Sequence, residues 1–111
     1  MCAEKTGQQE IEVYMSRRFE KVFESYPDQQ QEEIDNQIDL IIDNPEIGER
    51  KKGDLDFLRV HKFRMNNQQY LLSYSWVEKE IKIFLLSLGS HENFYDDQKR
   101  HRKADLRLIR S

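Results

Sequence analysis

Two short stretches of this chain place proton-handling groups beside cations. In Leu58-Arg59-Val60-His61, strand alternation means that if Leu58 and Val60 point to a core, Arg59 and His61 project together from the other face. The second stretch is Leu85 to Asp97, where an apolar run passes through Gly89 and Ser90 into His91. Tyr95 stands four residues on, on the same side as His91 if a helix begins near Ser90. Were the two strands neighbours in one sheet, a guanidinium and two imidazoles would share a solvent-facing cleft. Cleavage of RNA by its own 2′-hydroxyl needs a proton acceptor, a donor for the departing 5′-oxygen and positive charge for the pentacoordinate phosphorane. Side chains of these types meet those needs without a metal.

Other motifs carry less. His101, inside Lys99-Arg100-His101-Arg102-Lys103, reads as part of a basic patch and not as a catalyst. Tyr70, Tyr74 and Trp76, at even spacing, read as sheet packing in preference to base-stacking platforms. Asp54 and Asp56 are a carboxylate pair without further ligands, so no magnesium site is expected. No Gly-rich phosphate loop, zinc spacing or nucleophile elbow occurs, and no cofactor is expected. The single cysteine, Cys2, has no internal disulfide partner and fits a reducing compartment. No segment approaches the ~20 apolar residues of a membrane span, and the start lacks a secretory pattern. A cytoplasmic protein without membrane contact is expected.

The formal net charge of −3 hides a segregated distribution. From Pro27 to Glu49 there are eight acidic residues and no Lys or Arg; from Arg50 to Arg64 there are six Lys/Arg against two Asp. A further six Lys/Arg against one Asp fill Lys99 to Ser111. A local basic face can bind an anion even when the sum is negative. Lys51, Lys52, Lys62, Arg64, Lys99 and Arg100 are the candidate phosphate contacts.

These groups need a scaffold, and 111 residues with 37% hydrophobic content suffice for one modest core. Residues 1–9 read as a flexible lead-in and 10–111 as one domain. Ile11, Val13 and Met15 alternate as a short strand. Ser16 can cap a helix whose stripe is Phe19, Val22, Phe23 and Tyr26, and Pro27 ends it. Asp28 with Gln31 resembles a capping box ahead of a second helix lined by Ile34, Ile38, Ile41 and Ile42, which Asn44-Pro45 closes. Asn66-Asn67 signals a turn between two strands. Tyr70, Leu72, Tyr74 and Trp76 mark one face of the next strand, and Glu78-Lys79 a tight turn. Ile81 to Leu86 is apolar on both faces, as a central strand is, and Gly89 breaks it. Phe94, Leu106 and Ile109 are sparse for docking a C-terminal helix. The expected fold is α+β: an N-terminal strand, a helical hairpin, a three-stranded antiparallel meander and a C-terminal helix.

Asn44-Pro45 after an amphipathic helix, Gly48, Gly53, Leu58-Arg59-Val60, Tyr70-Leu71-Leu72-Ser73-Tyr74 and the run Ile81 to Leu88 ending in Gly89-Ser90-His91, taken as an ordered set, resemble the RelE/ParE superfamily of type II toxins over about residues 10–97. The resemblance implies a small antiparallel sheet packed on a helical hairpin, a cognate antitoxin as partner, and endonuclease action on messenger RNA with the ribosome as its setting. It also implies roles: His91 as acid or base, Tyr95 as the aromatic that orients a nucleotide, Arg59 and His61 as the basic pair of the second strand, and Lys62 and Arg64 as reserves. The chain departs from RelE relatives at Leu71, where an arginine often follows the first aromatic, and in its acidic second helix. The ParE branch implies a different outcome, non-enzymatic inhibition of DNA gyrase. A third is a catalytically silent binding module.

Overall fold

The structure, a computed structural model, describes residues 10–90 and 94–110. Strand β1 (Glu12–Met15) leads into α1 (Arg17–Glu24) and α2 (Asp28–Asp43). A short β2 (Glu49–Arg50) precedes the long strands β3 (Arg59–Met65), β4 (Gln68–Val77) and β5 (Lys82–Ser90), and the chain ends in α3 (Phe94–Arg100) and α4 (Arg102–Arg110). The sheet order is β1-β5-β4-β3-β2; β1 runs parallel to β5 and every other pair is antiparallel. This is the α+β architecture expected from the sequence, with a second edge strand and a second C-terminal helix added.

Local chemistry explains most boundaries. The Ser16 hydroxyl accepts from Phe19 N at 3.0 Å and donates to Leu86 O at 2.7 Å, so one side chain caps α1 and fastens it to β5. Asn66 and Asn67 both have positive φ, 56° and 61°, which makes the β3–β4 link a two-residue turn whose twist matches the strands. Two expectations are corrected. Asp28 and Gln31 form no capping box: Pro27 is the N-cap of α2 without a side-chain bond, and the Gln31 amide donates back to Tyr26 O at 2.9 Å. Gly89 does not end its strand either, since β5 continues to Ser90 with Gly89 paired to Leu71 and Ser90 to Tyr70. A glycine costs a strand packing surface but leaves its backbone bonds available.

Both faces of the sheet are covered. On one, Phe63, Met65, Tyr70, Leu72, Tyr74, Ile83, Leu85 and Leu88 pack against Phe19 of α1 and Ile34, Ile38 and Ile41 of α2. On the other, Val60, Leu71, Phe84 and Leu86 pack with Leu55, Leu58 and Phe94, joined by the partly buried Tyr95, Leu108 and Ile109. A bulge where β4 and β5 lose register at Ser73/Tyr74 turns Leu86 and Ser87 to this second side together.

That second layer is held by polar groups. The Ser73 and Ser87 hydroxyls lie 2.7 Å apart and each lies 2.7 Å from Gln98 Oε1. Gln98 Nε2 donates to Asp105 Oδ2 at 2.6 Å, and the Arg18 guanidinium meets both Asp105 oxygens at 3.3 and 3.2 Å. Gln98 and Asp105 are almost wholly buried. The chain of bonds links β4, β5, α3, α4 and α1, and so docks the C-terminal helices despite their few apolar residues.

Candidate functional site

Arg59 and His61 do share a face of β3, as alternation requires, but the face is the one beneath α2. His61 is buried, its Nε2 is 2.7 Å from Gln37 Oε1, and it stacks on Phe63. The Gln37 amide nitrogen donates to Glu33 at 2.8 Å, which turns its oxygen toward the ring; since that oxygen can only accept, the proton is assigned to Nε2. Burial lowers the His61 pKa, because desolvation disfavours the imidazolium. Arg59 Nη1 donates to Glu46 O at 3.2 Å and Gly48 O at 2.9 Å. The Tyr74 hydroxyl donates to Pro45 O and accepts from Gly48 N, so Arg59 and Tyr74 together fix the turn at residues 45–48. The solvent-facing pairing of Arg59 with His61 is therefore not formed: leucine and valine neighbours indicate that two residues share a face, and here that face lies beneath α2.

A pH dependence follows. Unfolded His61 titrates near 6.5, while the folded group binds its proton only at lower pH. Above about pH 6.5 the two states hold equal numbers of protons there; below it the unfolded chain holds more, and stability falls as pH drops, by up to ~1.4 kcal/mol per pH unit. Urea unfolding at pH 7.5 and 5.5 should show this loss, and His61→Gln should reduce it.

Lys62 and Arg64 stand one residue out of phase with His61 and Phe63, and so on the opposite face. Both are exposed. Lys62 pairs across to Leu71 and Leu71 to Gly89, which places the Lys62 and Gly89 backbones two strand spacings, roughly 10 Å, apart. Here α3 begins: Phe94 is buried, and the Tyr95 ring lies 5.1 Å from Lys51 Nζ. Burial alone would lower the Lys51 pKa, but interactions with Tyr95 and Glu49, whose carboxylate is 3.3 Å away, outweigh it and raise the value. Lys51 is held as a cation. The hairpin end of the sheet thus offers a ledge carrying Lys62 and Arg64, flanked by Lys51 and Tyr95.

Lys52, Lys99 and Arg100 are exposed beside this ledge and on α3; Arg100 lies 3.7 Å from Asp97. His91 lies outside the described residues, which stop at Ser90 and resume at Phe94. Sequence reasoning missed Ser73, Ser87, Gln98, Asp105 and Arg18, which position α3 and hence Tyr95; the available signal was serine recurring within the apolar strands β4 and β5. Among the described residues no group of three or more His, Cys, Asp or Glu is placed to hold a metal, and no helix is long and apolar enough to cross a membrane.

The family model of ParE-like toxins of type II bacterial toxin–antitoxin systems matches residues 13–99. The chain belongs to this family. It is a type II toxin of the RelE/ParE group, and its fold is that of RelE toxins. A double arginine-to-alanine variant of E. coli RelE in the free state superposes with a TM-score of 0.65 at 16% identity, over 82% of this chain and 94% of that one. The same RelE variant bound to an antitoxin RelBc peptide gives 0.61 at 18% identity, over 80% and 94%. RelE of the intact E. coli RelBE complex gives 0.60 at 17%, over 74% and 98%. No curated protein matches the chain in sequence. Identities this low carry the fold of the toxin and leave its chemistry to its own residues.

Proposed function

We propose that this toxin acts on RNA in the cytoplasm, cutting messenger RNA on the ribosome at the ledge formed by Lys62, Arg64, Lys51 and Tyr95, with His91 as the proton-transfer group. The observation that carries the reading is the exposure of Lys62 and Arg64 on the part of the sheet left open by α3 and α4, beside Lys51 and Tyr95. In the reaction His91 takes the proton of a 2′-hydroxyl, whose oxygen bonds to the adjacent phosphorus. The phosphorus–5′-oxygen bond breaks, and the 5′-oxygen leaves with a proton from water. Lys62 and Arg64 hold the non-bridging oxygens as charge builds, and Tyr95 stacks a base. Arg59 and His61 act at one remove, fixing the 45–48 turn and the contact of β3 with α2. The RelBE complexes support a cognate antitoxin as the partner that restrains the toxin.

A cell-free translation extract supplied with labelled message provides the test. Adding the toxin should yield discrete fragments ending in 2′,3′-cyclic phosphate and beginning with 5′-hydroxyl. The burial of His61 and the engagement of Arg59 with the 45–48 turn, with Leu71 rather than a cation paired to Lys62, favour a second reading, a ParE-like toxin that binds a protein target such as DNA gyrase. Under that reading the message stays intact in the extract, while induction of the toxin in cells still stops growth. A catalytically silent module would do neither.

A further inference from the structure

We infer that the outer face of α4 is a second binding site, one that grips the phosphate backbone of single-stranded RNA away from the scissile bond. The inference rests on the RNA reading above. The sole acidic residue of α4, Asp105, is turned inward, where it is almost wholly buried against Arg18 and Gln98. Its outward face therefore carries cations and no acid. Lys103, Arg107 and Arg110 recur at offsets of four and three and so lie along one side of the helix; all are exposed. With Arg102 and Leu106 they line an open groove of about 580 Å³. Among the described residues none of these four cations forms an ion pair, whereas the carboxylates of Asp97 and Asp105 are paired.

The stripe also continues from the ledge. Arg102 Nε donates to Asp54 O at 2.8 Å, which seats the start of α4 beside the Lys51-Lys52 segment, and Lys51 in turn lies against Tyr95. A strand leaving the ledge would meet positive charge over the ~13 Å length of α4. The acidic residues of α2 lie on the helix covering the opposite face of the sheet. Unpaired cations in a row suit a polyanion with regularly spaced charges, whose binding is driven by counterion release. The helix begins at residue 102, past the last residue matched by the family model.

The test is binding of a labelled oligouridylate to the full-length protein, followed by anisotropy between about 50 and 200 mM salt. Replacing Arg107 and Arg110 by Gln should weaken binding roughly tenfold at the low-salt end and reduce the slope of log K against log salt by about 1.4, near 0.7 per cation on a single strand. Cleavage at saturating RNA should be unchanged. Unaltered affinity and slope in this variant, with Lys62→Gln/Arg64→Gln still impaired, would overturn the α4 site and leave the ledge standing. Absence of any oligouridylate binding by the unmodified protein would overturn both. Capture of polyglutamate in place of oligouridylate, lost in the α4 variant, would assign the stripe to an acidic protein and also overturn it.

Discussion

Asp105→Ala is expected to cost about 3 kcal/mol, the cost of leaving one member of a buried charge pair without its partner. The substitution removes the buried, two-oxygen partner of the Arg18 guanidinium, whose side chain is only 18% exposed, and the acceptor of the Gln98 amide. The other carboxylate near the guanidinium, Asp97, lies 3.9 Å from Arg18 Nε and is 44% exposed, so it offsets only part of the loss. A loss of this size is a large part of the stability of a domain this long, and it falls on the contacts that seat α3 and α4. The midpoint of urea unfolding should drop accordingly. The double replacement Arg18→Met/Asp105→Leu should recover much of the loss, because two apolar groups of matched size leave no buried charge.

His91→Ala is expected to have the largest effect on activity, lowering message cleavage by ~10²–10⁴-fold, the usual contribution of a positioned acid or base. His61 provides the contrast. Its ring is tied to Gln37 under α2, so His61→Ala should unpair a partly buried amide oxygen, remove a buried ring stacked on Phe63 and cost roughly 1–3 kcal/mol, while cleavage per folded molecule persists. Measuring activity and the urea midpoint on both variants separates the two roles: one histidine should move the rate, the other the midpoint.

Elements set by local chemistry were legible in the sequence. Ser16 as a cap, Asn66-Asn67 as a turn, and Tyr70, Leu72, Tyr74 and Trp76 as one face all follow from rules acting over a few residues, and each stands as read. The second layer was not legible because its cover is polar. Gln98, Asp105 and Arg18 have the hydropathy of surface residues, and only their mutual bonds make their burial tolerable. With a single core expected, Leu58 and Val60 read as its share of β3 and the His61 face as open surface, whereas Val60 belongs to the layer under α3 and α4 and His61 faces α2. Alternation divides a strand into two sets without saying which set meets water. The displacement of the candidate site from Arg59 and His61 to Lys62 and Arg64 is that ambiguity resolved by one residue of phase.

The most direct measurement is a map of transcript 5′ ends in cells shortly after the toxin is induced without its antitoxin. New 5′-hydroxyl ends at discrete positions within translated messages, absent when His91 is alanine, are the expected result. Growth arrest with no new ends, or the same ends in the His91→Ala strain, would contradict an RNA-cutting site at this ledge.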